Sequence, residues 1–319
     1  MKKIIAWILS VMMLLTLLSA CGKETAPQET GTQVPSEVQT EPSELPQAGQ
    51  QDNGGIVYLL ASAEQMPQSC GGTRRKNIME YDVNGNLISR ICDEYDYTYS
   101  YNAENQMNGW KRLRKDGSVH EERIYRYGDN GKVSSWSYQI SEYTFTFENT
   151  YDDQDNLIKV ICTRNGEAYS EEINTYDAEG RLVDYQCGSD HLMYTYEENK
   201  TVVTDIRPNG TQYTDRITAY DENGNVIWEE TYDEGELYTK ETYTYDAAGK
   251  LISSTNWSSY NAGERYLEYA YDENGCLIEV TAKEGLGILY RLAYTYVQWQ
   301  GDPQRAEQLR AIEIDEFWD

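Results

Sequence analysis

The sequence predicts an all-β protein, a long antiparallel meander of hairpin repeats coiled into a spiral, barrel-like or layered sheet. Three observations lead there. A Tyr-Asp-x-x-Gly-x-Leu pattern recurs at Tyr81, Tyr151, Tyr176, Tyr220, Tyr245 and Tyr271, with weaker copies at Tyr101, Tyr127 and Tyr196, and the nine start tyrosines are spaced 20 to 26 residues apart, which marks a repeat architecture. Turn-forming pairs such as Asp116-Gly117, Asn165-Gly166 and Glu234-Gly235 lie between the units, so each repeat has a turn at both ends of its strands. The aromatic content is 29 Tyr against 3 Phe, and tyrosine suits half-wet β surfaces better than a dry core.

The chain has 319 residues and begins Met1-Lys2-Lys3, followed by an uncharged run from Ile4 to Ala20. A basic start and an apolar middle form a secretory signal over residues 1–20; the run is marginal as a membrane span. Residues 21–55 hold Pro27, Pro35, Pro42 and Pro46 with many Gln, Thr, Ser and Glu and no aromatic residue. Such a segment buries too little apolar surface to offset chain entropy and reads as a flexible tether. Residues 56–301 form the repeat domain. Residues 302–319 read as a capping segment, where Asp302-Pro303 resembles a helix start while Ile312-Glu313-Ile314 alternates like a strand.

Within each repeat the turn has a mechanical basis. Asp opens a type I turn, and the residue three positions later must take a left-handed conformation to close the hairpin with a bulge. Gly85, Gly131, Gly180, Gly224, Gly249 and Gly275 are expected in that role, with Asn105, Asp155 and Asn199 as the tolerated substitutes. The start tyrosines then face Leu87, Met107, Val133, Leu157, Leu182, Val202, Val226, Leu251 and Leu277, giving one Tyr–Leu face. Nine repeats at two strands each give about eighteen strands, more than an open twisted sheet holds without curling.

The Tyr-Asp-x-x-Gly-x-Leu series resembles the YD repeats of the RHS family, over about residues 76–300. That resemblance implies a spiralling β-sheet, in some members a hollow shell around a toxin. Few repeats are present here, and about twenty residues follow Tyr296, so no enclosed passenger is implied. Leu18-Ser19-Ala20-Cys21-Gly22 likewise resembles the lipobox of bacterial lipoproteins. It implies cleavage before Cys21, acylation of that cysteine and an extracytoplasmic chain anchored to the cell membrane by its lipid.

Charge excludes one class of partner. With 54 acidic against 27 basic residues, a formal charge of −27, the chain opposes nucleic acid, whose affinity comes from Lys and Arg on phosphates. Catalytic motifs are missing. There is no Gly-x-Ser-x-Gly elbow, P-loop or dinucleotide fingerprint, and the two histidines, His120 and His191, lack a metal-binding context. His120 reads as an exposed turn residue. Asp221-Glu222-Asn223-Gly224-Asn225 places its glycine wrongly for an EF-hand. No catalytic residue, metal or cofactor is expected. Beyond Cys21, Cys70, Cys92, Cys162, Cys187 and Cys276 are an odd set, read as thiols packing as small hydrophobes.

The ligand-binding candidates are Trp110, Trp136 and Tyr185, which share the position nine residues after their start tyrosines. Strict alternation puts them on the face opposite the Tyr–Leu one, at a spacing of about 9–10 Å that suits stacking on sugar rings; the plainer reading is that they pack between coiled layers or support the sheet, since aromatics are ordinary strand residues. Three functions fit. The first is a non-catalytic surface lipoprotein binding a glycan, cell-wall polymer or protein; the others are a structural or toxin-system protein related to RHS shells and an acidic hydrolase.

Overall fold

The computed structural model describes residues 56–67, 74–260, 263–285 and 287–310. Two strands lead in, β1 (Ile56–Pro67) and β2 (Arg75–Tyr81). The repeats continue with β3 (Leu87–Ile91), β4 (Tyr95–Tyr101), β5 (Met107–Arg114), β6 (Val119–Tyr127), β7 (Val133–Ile140), β8 (Tyr143–Tyr151) and β9 (Leu157–Arg164). Then come β10 (Glu167–Tyr176), β11 (Leu182–Cys187), β12 (Asp190–Glu197), β13 (Lys200–Ile206), β14 (Gln212–Tyr220), β15 (Val226–Asp233) and β16 (Glu236–Tyr245). The last are β17 (Leu251–Ser258), β18 (Arg265–Tyr271), β19 (Leu277–Glu284), β20 (Gly287–Gln300) and the helix α1 (Pro303–Arg310). Every neighbouring pair is antiparallel, and β1 pairs with both β2 and β20, so the twenty-stranded meander closes into a barrel. The expected eighteen strands are the nine hairpins β2 to β19. The two added strands, β1 and β20, run together from Ile56↔Gln300 to Pro67↔Tyr290 and remove the free edges that otherwise invite pairing with another chain.

The repeat turns form as their chemistry dictates. Gly85, Gly131, Gly180, Gly224, Gly249 and Gly275 have φ between 75° and 83°, and Asn105 and Asp155 join them at 61° and 66°. In the first turn Asp82 Oδ1 accepts the N–H groups of Asn84 (2.8 Å) and Asn86 (2.9 Å), and the Asn86 amide donates to Asp82 Oδ2 (2.9 Å). The same bonds recur at Asp152 and Asp221, which explains the aspartate: its carboxylate satisfies N–H groups the tight turn leaves without a ladder partner. The copy at Tyr196 departs from expectation. Its loop holds only Glu198 and Asn199 between the paired Glu197 and Lys200, so Tyr196 faces Thr201 rather than Val202, and Asn199 has no positive φ.

Why tyrosine and not phenylalanine follows from the gaps between hairpins. Where one repeat meets the next, the ladder stops short of the turn: β9 and β10 last pair at Lys159↔Ile173, leaving the Leu157 carbonyl without a strand partner. The Tyr176 hydroxyl donates to it at 3.1 Å. The same latch joins Tyr81 to Leu60 (2.8 Å), Tyr101 to Leu87 (2.9 Å), Tyr127 to Met107 (2.6 Å) and Tyr151 to Val133 (2.9 Å). It also joins Tyr196 to Leu182 (2.9 Å), Tyr245 to Val226 (2.8 Å), Tyr271 to Leu251 (2.8 Å) and Tyr296 to Leu277 (2.9 Å). Tyr220 is the exception, and its exception has a cause. The short turn after Tyr196 lets β13 and β14 pair up to Lys200↔Ala219, with the Tyr220 N–H bonded to Asn199, so no carbonyl is left to latch. Tyr271→Phe is therefore expected to cost about 1–3 kcal/mol, the price of an unpaired buried acceptor. Tyr220→Phe should stay within about 0.5 kcal/mol, a contrast read from urea midpoints.

The two faces of the sheet differ from strict alternation because each standard repeat carries a second irregularity. The register shifts between Arg126 and Tyr127, whose partners are Ser135 and Val133, and likewise at the other seven hairpins of this length. The skipped residue is a β-bulge. Residues nine positions after the start tyrosine therefore return to the Tyr–Leu face. Trp136 lies directly opposite Tyr125, and Trp110 opposite Tyr99. That face holds most of the buried side chains, including Tyr97, Tyr125, Trp136, Phe147, Leu157, Val160, Leu182, Tyr185 and Leu251. Side chains converge on the concave side of a closed sheet, so this is the inner face. The outer face carries Thr98, Ser135, Thr150, Thr175, Thr195 and Thr244 with ion pairs such as Lys111–Glu122 (3.0 Å) and Lys240–Glu230 (2.7 Å).

The helix seals the join. Asp302 caps it through the N–H groups of Gln304 (3.0 Å) and Arg305 (3.1 Å), the helix start its sequence predicts. Ala306 and Leu309 pack on Val57 and Leu59, with Trp299 and Tyr81 around them. Leu309 also lies so close over Gly85 that a Cβ there would meet it at 2.5 Å. The helix thus covers the first repeat turn rather than a sheet edge. Ile312-Glu313-Ile314 lies outside the described residues.

Candidate functional site

The inner wall of β4 to β9 is an aromatic and arginine shelf. Trp136 stacks on Phe147 with centroids 3.9 Å apart, and lies 6.3 Å from Tyr125 and 5.9 Å from Tyr138. Tyr138 stacks in turn on Phe145 at 4.8 Å. Guanidinium groups cover other rings: Arg90 over Tyr97 (4.0 Å), Arg112 over Tyr95 (3.8 Å) and Arg123 over Trp110 (4.8 Å). Arg123 is itself held by Glu121 at 3.0 Å.

This arrangement corrects the expected face of the three aromatic candidates. Trp110, Trp136 and Tyr185 lie on the Tyr–Leu face, not opposite it. Trp136 is 6 % exposed and Tyr185 8 %, and the ring faces of Trp110 and Trp136 meet protein groups. Trp136 and Tyr185 are core residues, and half-buried Trp110 lies beneath a guanidinium. Sequence reasoning missed the arginines. Their signal was placement on the same inward positions as the aromatic rings, hidden by the bulge for Arg90 and Arg112 and open to plain alternation for Arg123.

On the inner face of β10 and β11 sits a buried polar group. Glu172 is opposite Cys187 and Asn174 opposite Tyr185. The Asn174 amide donates to Glu172 (2.9 Å) and to the Leu157 carbonyl (3.0 Å), while its Oδ1 has no hydrogen-bond partner. Burial pushes the Glu172 carboxyl above the usual glutamate range, against the pull of the Asn174 amide. Burial and the adjacent Glu172 carboxyl raise the Tyr185 phenol. The neutral form of Glu172 is the one burial favours, so its contribution to stability is complete below the unfolded pKa of about 4.3 and is lost as pH rises through the folded value. Glu172→Gln is therefore expected to raise Tm by a few degrees at pH 7, at about 2–4 °C per kcal/mol, and to leave it unchanged near pH 4, as measured by calorimetry.

The other chemistry-bearing residues serve the fold. Cys92, Cys162, Cys187 and Cys276 are free thiols, and burial pushes Cys162 and Cys276 up to about 11, which makes them inert hydrophobes. Cys70, like Cys21, lies outside the described residues. His120 is half-buried at the start of β6, stacked on Tyr95 at 5.1 Å and 2.8 Å from Arg114, so it is not an exposed turn residue. His191 bonds Asp184 at 2.8 Å. Among the described residues no group of three or more His, Cys, Asp and Glu side chains is placed to hold a metal ion.

No family model matches the chain, and no curated protein matches it. Solved structures do. One is the Photorhabdus luminescens Tc holotoxin pore, 15 % identical, with 72 % of this chain and 16 % of that one covered and a TM-score of 0.34. Others are porin-like proteins from Bacteroides uniformis (10 % identical, 75 % and 98 % covered, TM-score 0.33) and Bacteroides vulgatus (11 % identical, 76 % and 99 % covered, TM-score 0.26). The chain spans about one sixth of the length of the toxin component it is similar to.

Proposed function

We propose that this protein is a non-catalytic, extracytoplasmic lipoprotein whose YD-repeat barrel stands in water, tethered to the membrane through Cys21, and binds a surface partner. One observation carries the reading: both faces of the barrel bear charges in mid-strand. Arg112, Arg123, Glu172, Glu229 and Glu241 point inward, and Lys111, Lys159, Glu230, Glu268 and Glu279 point outward. A lipid-facing band about 25 Å tall tolerates few such groups, each costing up to about 2–4 kcal/mol at the bilayer midplane. Membrane attachment then falls to the acylated terminus. A protein is favoured over a glycan as the partner, since the rings suited to sugar stacking are covered inside the fold. The runner-up, a structural or toxin-system protein of the RHS kind, is supported by the repeat-turn chemistry.

Two measurements test this reading. The mature protein should partition into the detergent phase on Triton X-114 separation, and Cys21→Ala should send it to the aqueous phase. Detergent partitioning that survives Cys21→Ala would place the barrel in lipid and overturn the proposal. A cell-surface pull-down with the anchored protein should recover a protein partner. Capture of wall polysaccharide instead, sensitive to Trp110→Ala, would restore the glycan reading.

A further inference from the structure

The clefts between successive repeat turns differ in what fills them. Between the first and second turns sits Arg305, whose Nε donates to the Asn84 carbonyl (3.0 Å) and whose Nη2 donates to Asn86 Oδ1. Burial there lowers the Arg305 pKa below the usual arginine value, and Asp82 and Tyr101 offset part of that loss. The second turn sends the Gln106 amide to the Gly131 carbonyl (3.0 Å). The fifth supplies Arg181, bonded to Asp177 at 2.8 Å and lying 4.5 Å over the Tyr196 ring, and the eighth supplies Lys250, 5.2 Å over Tyr271. A donor, usually cationic, thus fills these clefts beside a latch tyrosine or a turn carboxylate.

The cleft between the fourth and fifth turns has no such donor. It measures about 610 Å³ and is lined by Asp152, Gln154, Asn156, Asn174, Tyr176 and Asp177 among others. Lys159 also borders it but is engaged by Glu171. Position for position, Asp152, Gln154, Asn156 and Tyr176 correspond to the Asp82, Asn84, Asn86 and Tyr101 that surround Arg305. Beside it, Asn174, 7 % exposed and one of the residues lining this cleft, holds a buried amide oxygen that has no hydrogen-bond partner.

We propose that this cleft binds the guanidinium of an arginine side chain presented by a protein partner, which gives a chemistry to the partner-binding reading above and rests on it. Arg305 is the intramolecular template. Its planar fork spans a turn carbonyl and an asparagine oxygen, and the Gln154 carbonyl and Asn156 amide oxygen offer the same pair. Lysine matches this geometry less well because its ammonium is a point charge.

The test is a titration of the isotope-labelled mature protein in detergent with N-acetyl-arginine methylamide, following the side-chain amide signals of Asn156 and Asn174. Those signals should shift, with affinity at least about tenfold weaker for the neutral citrulline analogue, which keeps the shape but loses the charge-assisted bonds. Asn156→Arg should abolish the response, and it should fold because the fifth turn already carries Arg181 at that position. Absent shifts, equal shifts from the citrulline or lysine analogue, or shifts that persist in Asn156→Arg would overturn the proposal. The small probe needs no natural partner, so a failed pull-down and a failed titration report on different claims.

Discussion

Raising the pH from 10 to 12 is expected to unfold the barrel in one steep transition, at alkalinities where its carboxylates are already fully ionised. Burial pushes the latch hydroxyls of Tyr127, Tyr176, Tyr196, Tyr245 and Tyr271 up to about 12, and those of Tyr81, Tyr101 and Tyr296 higher still. In the unfolded chain the same groups titrate near 10. Because the folded values are raised, the stabilisation is complete below pH 10 and is lost as pH rises through the folded values. Each such tyrosine removes up to about 1.4 kcal/mol per pH unit in that window. Five of them acting together remove up to about 7 kcal/mol per pH unit, against a total stability of about 5–15 kcal/mol for a typical domain. Far-ultraviolet circular dichroism and tyrosinate absorbance should therefore change together and sharply. Gradual tyrosine titration with the β signal intact would show that the latches do not hold the repeats together.

The turns were legible in the sequence because their chemistry is local. A glycine at φ near 80° and an aspartate that accepts N–H groups within four residues leave a mark in most copies, and the nine start tyrosines mark the hairpins. The tyrosine excess was visible, but its cause was not, because each latch joins residues 14 to 21 positions apart across a gap whose existence depends on where the ladder stops. Closure was hidden for a similar reason: β1 carries no repeat motif and finds β20 over two hundred residues away. The bulge had the largest consequence. No residue type marks it, since Ile88, Ser134 and Ile252 all occupy it; yet it places Trp110, Trp136 and Tyr185 on the inner face rather than the outer one. The copy at Tyr196 was misaligned: the residue four positions after its tyrosine is Lys200 and not the expected Asn199, where the other copies have Gly, Asn or Asp, and its loop is two residues long.

Trp136→Ala is expected to destabilise the protein by about 3–5 kcal/mol, as deletion of a large buried ring does when its surroundings cannot collapse. The site gives little room to relax. Phe147 stacks on one ring face at 3.9 Å, Tyr125 and Tyr138 lie within 6.3 Å, and the buried Leu157, Val160 and Cys162 complete the cluster around them. These neighbours sit on four strands, β6 to β9, so the cavity would loosen three consecutive ladders at once. Trp110 is half-buried with Arg123 over one face, and Trp110→Ala should cost less, about 1–2 kcal/mol, mostly as lost packing and cation–π attraction. Urea midpoints of the two variants separate these expectations. The contrast also decides how a binding experiment is read. Loss of a partner in Trp136→Ala, accompanied by a lowered midpoint, reports an opened barrel wall. Loss in Trp110→Ala beyond what its smaller midpoint shift accounts for would instead place the partner against the inner shelf, beside the guanidinium that now covers that ring.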